Sequence, residues 1–213
     1  MLVSVSTMPA GENVLEYVKE IENNADFMHL DICDGKYNQT KCFSKKLAKL
    51  IRKNTTLPMD AHLMTLNAKR NAKKYIKCGA NIITAQIESF IFKSSVKRFI
   101  KYVKSTKTLV GLALEPNTRL SEILPYLSKL DLVLVMSVKT GKSGQEFNQV
   151  ALKKIEELKK IREEKGYNFK IEVDGGVNNK TIESIKNSGA DIVVSGNYIY
   201  KNEDKNSAIE SLK

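Results

Sequence analysis

The sequence predicts a closed (β/α)8 barrel, an α/β fold of the TIM-barrel class with a parallel eight-stranded sheet, filling residues 1–213 as one domain. Three observations predict it. Short apolar, β-branched runs alternate strictly with amphipathic stretches at helical spacing. The alternation repeats eight times in 213 residues with no linker or low-complexity segment. The connections are short, so successive strands are parallel and joined by crossover helices. The rival is an open doubly wound sheet, which ordinarily has fewer strands and a glycine-rich nucleotide turn after the first. The turn here, "STMPAGEN", is no such fingerprint.

Taken in order, the predicted strands are LVSVS (2–6), FMHLDI (27–32), PMDAHLM (58–64), NIITA (81–85), TLVGLAL (108–114), LVLVMSV (132–138), FKIEVD (169–174) and DIVVSG (191–196). Between them lie the helical patterns NVLEYVKEIE (13–22), SKKLAKLIRK (44–53), NAKRNAKKYIKCG (67–79), VKRFIKYVK (96–104), LSEILPYLSKL (120–130), QVALKKIEELKKIREEKG (149–166) and NKTIESIKNSG (179–189). KNSAIESLK (205–213) supplies the last helix. Side chains alternate faces along a strand, so His29, Asp31 and Cys33 point one way and Met28, Leu30 and Ile32 the other.

Composition narrows the function. With 42% hydrophobic and 28% charged residues, the chain can bury a sizeable core. It has no apolar run long enough for a transmembrane helix and no leader of the signal-peptide type, so no membrane partner is expected. Three cysteines without metal-ligand spacing read as reduced thiols of a cytoplasmic protein. The net charge of +11 suits anionic small molecules as well as polyanions. The lysines, however, are dispersed over helix faces among acids, and no basic block is interleaved with aromatics. A nucleic-acid partner is therefore not expected.

In a barrel of this kind, chemistry belongs at the C-terminal ends of the strands. The only two histidines, His29 and His62, both sit late in predicted strands, each two positions from an aspartate ("HLD", "DAH"). Asp174 ends the seventh strand before a glycine pair. A lone strand histidine is ordinarily a hydrogen-bonded core residue, and an aspartate before glycine a turn former. Together, His29, Asp31, His62 and Asp174 can converge on the barrel mouth from three strands. Burying such groups unpaired costs several kcal/mol, so a shared counter-charge is expected. Two imidazoles and two carboxylates suit one divalent metal ion: Zn2+, Fe2+ or Mn2+. Asp31 and Asp174 come from different sides of the ring. Two carboxylates facing each other across a substrate can take a proton from one face of a carbon and return one to the other. That inverts a stereocentre through an enediolate that a divalent metal stabilises.

Glycines follow three successive strands. Gly175 and Gly176 ("DGG") and Gly196 ("VSGN") stand where barrels often bind phosphate through backbone N–H groups. "KTGKSGQ" offers Gly141 and Gly144 as a further flexible loop. Its "GKS" is no Walker loop, because Met136 stands where the required glycine should be. Lys142 adds a mobile cation to that loop.

The segments "MHLDICDG", "MDAHLM", "LDLVLVMSV…G..GQ.F" and "IEVDGGVN…GADIVVSG" resemble, in order and over essentially the whole chain, the ribulose-phosphate 3-epimerase family. The resemblance implies a TIM barrel with one divalent metal held by His29, Asp31, His62 and Asp174, the two aspartates serving as acid and base. It also implies substrate contacts from Ser4 in "VSVS", from His62 and from Met64 and Met136, whose polarisable side chains suit a flat intermediate. The implied substrate is a phosphorylated ketose, and a homo-oligomer is expected. The chain departs from the family at Cys33, where methionine is usual, and at "KYNQT", "TGKSGQ" and Gln86, the last in place of a histidine. Asn197 replaces a serine at the phosphate end. Metal and acid–base positions are intact while the loops have changed. The leading expectation is D-ribulose 5-phosphate to D-xylulose 5-phosphate. The alternatives are the same chemistry on another ketose phosphate such as allulose 6-phosphate, or a non-catalytic binding protein on the same barrel.

Overall fold

The computed structural model describes residues 1–142 and 144–213. Eight parallel strands form the barrel: β1 (Leu2–Ser6), β2 (Phe27–Asp34), β3 (Met59–Met64), β4 (Ile82–Gln86), β5 (Leu109–Leu114), β6 (Leu132–Met136), β7 (Lys170–Asp174) and β8 (Ile192–Ser195). Each pairs in parallel with its successor, and β1 pairs with both β8 and β2, closing the ring. A two-residue strand, Lys41–Cys42, adds antiparallel to the end of β2. It was not expected from the sequence; two residues are too few to show a period.

The helices outside the barrel are α1 (Val14–Ile21), α2 (Lys45–Asn54), α3 (Ala68–Ile76), α4 (Lys93–Lys104), α5 (Val150–Lys165), α6 (Ile182–Ser188), α7 (Asn197–Lys201) and α8 (Lys205–Glu210). The predicted helix over 120–130 is instead two 3-10 segments, Leu120–Glu122 and Leu124–Lys129. Pro125 is the cause: it has no N–H to donate to the carbonyl one turn back, so a continuous α-helix across it would lack that bond. Asn67 and Ser44 begin α3 and α2 by accepting the N–H groups of Arg70 and Leu47.

The alternation read in β2 sorts two cores. Met28, Leu30 and Ile32 join the apolar layer between barrel and helices, with Val133, Val135, Phe99 and Ile155. A smaller cluster of Ala113, Leu132, Leu134, Met136 and Ile192 fills one side of the barrel interior. The remaining interior is polar and buried, with His29, Asp60, His62, Thr84, Gln86 and Glu172 all at 0–1% exposure.

At the opposite end, one device recurs four times. Asp26, Asn81, Asp131 and Asp191 each stand one residue before an even-numbered strand. Their side chains accept the N–H of Val3, Met59, Val110 and Ile171 at 2.8, 2.9, 2.9 and 2.8 Å. Their own N–H groups donate back to the carbonyls of the same four residues. The barrel is thus clamped in four β-strand pairs at its N-terminal end, satisfying edge groups that would otherwise be buried without partners.

Candidate active site at the barrel mouth

The strand register assembles the site. β2 and β3 pair His29 with Asp60 and Asp31 with His62; β6 and β7 pair Met136 with Asp174. Because these residues alternate inward, His29 and Asp60 form a deep level, with Asp31, His62 and Asp174 nearer the mouth. One ligand atom from each of His29, Asp31, His62 and Asp174 lies within 4.8 Å of all the others.

The hydrogen bonds set which atoms face that centre. His29 Nδ1 lies 2.6 Å from Asp60 Oδ2 and donates to it, which turns Nε2 towards the cluster. His29 Nε2 and His62 Nδ1 each stand 3.5 Å from Asp31 Oδ1. That is too long for a good hydrogen bond, and among the described residues both nitrogens are buried with no hydrogen-bond partner. Two imidazole nitrogens without partners converging on a carboxylate, with a second carboxylate beside them, fit a divalent cation once each nitrogen offers its lone pair. With a cation there, Asp60 would be the carboxylate behind a ligating histidine, fixing its tautomer. A second possible grouping, His29, Asp60 and Glu172, lies deeper, but His29 Nδ1 is already committed to Asp60.

The electrostatics oppose the two mouth carboxylates. Burial would raise Asp31, but His29 and His62 outweigh it and hold its pKa well below the ordinary value. Asp174 is raised to about 6, by burial first and then by the charge of Asp31. Burial would lower His29, yet Asp60 and Asp31 hold it well above its usual value. Glu172 is pushed well up by burial first and then by Asp60, which disfavours a further negative charge below the cluster.

Above the centre opens a cavity of about 630 Å3, lined by Asp31, Asp174, Met64 and Met136. All five predicted glycines, Gly141, Gly144, Gly175, Gly176 and Gly196, and Asn197 line it too. At Gly176, with φ +64, a Cβ would meet the backbone of Phe147, its Cα at 2.6 Å. Only glycine lets the loops after β6 and β7 approach this closely. The loops are also tied laterally: Thr40 Oγ1 donates to the Gly141 carbonyl at 2.7 Å.

His29 and His62 do not face the open cavity; they stand behind Asp31 at 0% exposure. Ser4 is not at the cavity either. It is fully buried and its hydroxyl donates to Asp60 Oδ2 at 3.3 Å. The serine at the mouth is Ser6, whose Oγ donates to Asp31 Oδ2 at 2.9 Å. Both serines point inward, two residues apart; the more C-terminal one reaches the mouth, a signal present in "VSVS". Asp60 was legible as the partner two positions from His62, but not as the support of His29. Lys139, Lys180 and Lys201 join Lys142 around the cavity; nothing in their local sequence marks them.

The comparisons with known proteins agree with this geometry. The model of the ribulose-phosphate 3-epimerase family matches residues 2–200. The Helicobacter pylori ribulose-phosphate 3-epimerase is 34% identical over 215 residues, covering 100% of this chain and 97% of the relative. The chloroplastic ribulose-5-phosphate-3-epimerase of Arabidopsis thaliana is 35% identical over 100% of this chain and 76% of its own length. The Escherichia coli ribulose-phosphate 3-epimerase is 32% identical over 92% and 86%. Among solved structures, a 3-hexulose-6-phosphate synthase superposes with a TM-score of 0.73 over 100% of this chain and 98% of that one. At 18% identity, that likeness concerns the barrel alone. Among the described residues, no helix is long and apolar enough to cross a membrane. With the family model spanning nearly the whole chain and full-length relatives above 30% identity, the chain belongs to the ribulose-phosphate 3-epimerase family and is an enzyme of the isomerase class.

Proposed function

We propose that this enzyme inverts C3 of a phosphorylated ketose, D-ribulose 5-phosphate to D-xylulose 5-phosphate, with one divalent metal ion held by His29, Asp31, His62 and Asp174. The observation that carries the reading is that Asp31 and Asp174 alone of the four ligating groups face the cavity, from strands separated by β1 and β8. A metal ion bound there supplies Lewis-acid stabilisation of negative charge developing on the substrate oxygens. The side chains do the rest. One aspartate removes the C3 proton from one face and the other delivers a proton to the opposite face. Ser6 holds Asp31 through Oδ2, leaving Oδ1 for the cluster. Met64 and Met136 present apolar, polarisable surface to a planar intermediate and keep water from it. The backbone at Gly175, Gly176, Gly196 and Asn197 receives the phosphate, with the lysines of the rim adding attraction.

A second reading, the same inversion on a different ketose phosphate such as allulose 6-phosphate, is supported by the departures from the family that line the cavity, Asn197 and the loop carrying Gly141 and Lys142. One barrel domain performs the reaction. Exposed Leu66, Ile91 and Phe92, on loops following β3 and β4, support self-association.

The test is a panel of ketose phosphates and free ketoses incubated with metal-loaded protein, in D2O and in water. Asp174→Asn and Asp31→Asn are expected to lose epimerisation by at least about a thousandfold while metal content is checked in parallel. Full turnover by either variant removes that carboxylate from the mechanism. A preference for an unphosphorylated sugar removes the phosphate assignment.

A further inference from the structure

Gln86 ends β4 and is fully buried. Its amide nitrogen lies 3.0 Å from His62 Nε2. Among the described residues its Oε1 has no partner, and neither has His62 Nδ1 on the far side of the ring. In this arrangement the amide donates to the Nε2 lone pair, so the proton of the neutral imidazole sits on Nδ1. That tautomer cannot ligate. Nδ1 is the atom facing Asp31 Oδ1, at 3.5 Å, and a ligating nitrogen must offer its lone pair. The remedy is local. Turned end for end, the amide keeps its shape but brings Oε1 to His62 Nε2, where it accepts an N–H. The Nδ1 lone pair is then free for the cluster.

We propose that Gln86 is a positioning residue for the metal centre: with a divalent cation bound, its Oε1 accepts the Nε2–H of His62 and holds the ring in the tautomer that ligates through Nδ1. The inference rests on the metal assignment above. The two histidines are then managed in opposite senses. His29 gives its Nδ1–H to Asp60 and ligates through Nε2; His62 gives its Nε2–H to Gln86 and ligates through Nδ1. The choice of an amide has an electrostatic reason. Asp31, Asp60, Glu172 and Asp174 already place four carboxyl groups in this interior. A neutral acceptor orients the second imidazole without a further buried charge to desolvate.

The chain's having only two histidines makes the test direct. Protein labelled with 15N at histidine is loaded with Zn2+, and two-bond 1H–15N correlations report which ring nitrogen carries the proton. One Nδ1–H ring and one Nε2–H ring are expected; two rings of the same tautomer overturn the proposal. Zn2+ affinity is measured separately by competition with a chelating dye. Gln86→Met, which keeps length but has no comparable acceptor, is expected to weaken binding about 10- to 100-fold. Gln86→Glu keeps the acceptor and is expected to restore most of that loss. Unchanged affinity in Gln86→Met overturns the proposal, and so does an equal loss in both variants, which marks packing and not the acceptor. Failure of the metal assignment itself shows earlier. Unsubstituted protein would bind no Zn2+, or His62→Ala would bind it as tightly, and both readings would fall.

Discussion

Ser4 and Ser6 differ by one level of the barrel interior, and that level decides what each hydroxyl does. Ser6 bonds Asp31 Oδ2 at 2.9 Å beside the cavity. Ser4 reaches only Asp60, at 3.3 Å and with no exposure. Ser6→Ala is therefore expected to lower kcat/KM by about tenfold or more, the worth of a hydrogen bond to a charged group, about 1.5–3 kcal/mol. Ser4→Ala should leave KM unchanged and act through stability. Steady-state kinetics of the two variants side by side check the assignment, and equal kinetic effects would undo it. The single-residue departures read from the sequence behave differently from one another. Cys33, where the family usually has methionine, packs against Met64 at 4.0 Å between sulfurs, so one soft side chain substitutes for another. Gln86, in place of histidine, meets the ring of His62, a proposed ligand, at 3.0 Å.

Among the elements, the four strand-pair clamps carry a separate expectation. Asp131→Ala removes the acceptor of the Val110 N–H and is expected to cost about 1–2 kcal/mol in urea unfolding. KM should not change, because the clamp lies at the opposite end of the strands from the cavity. Asp191 does more. It accepts from Ile171 N and also pairs with Arg162 and, at 3.5 Å, with Lys170, so Asp191→Ala should cost more than Asp131→Ala. Reversed order in the two variants would show that the backbone bond matters less than the local packing. The recurrence is visible in "ADF", "ANI", "LDL" and "ADI", an acceptor immediately before an apolar strand. Its partner at the start of the preceding strand is not visible, because only the parallel pairing of the two strands brings them together.

For the molecule as a whole, the proposed metal site links ion binding to folding. The four proposed ligands lie on three strands, β2, β3 and β7, and the unfolded chain cannot present them together. A ligand at about 100 times its dissociation constant stabilises the fold by roughly 2.7 kcal/mol. Zn2+ or Mn2+ should therefore raise the midpoint of thermal unfolding, and chelator should reverse the rise. The shift should vanish in His62→Ala; an equal shift in that variant would place the stabilising ion elsewhere. The net charge of +11 finds its local expression at the rim, where Lys139, Lys142, Lys180 and Lys201 surround the cavity. Dispersed along the sequence, they read as ordinary helix and loop lysines.

The sequence by itself determined the barrel, since eight repeats of strand and amphipathic helix with short connections admit few other topologies. It also pointed to the four residues that cluster at the barrel mouth and to the glycines that line the cavity, because strand alternation and the C-terminal-end rule are local properties that can be read without neighbours. Only the tertiary structure decided the rest. Whether Ser4 or Ser6 meets Asp31, and whether Asp60 supports His29 or His62, depends on inter-strand register. So does the meeting of Gln86 with His62. Register is a relation between strands many residues apart, set by barrel closure and packing, and no single stretch of chain contains it. The 3-10 turns around Pro125 mark the other boundary: there the period of the apolar residues suggested a helix, and one missing N–H overruled it.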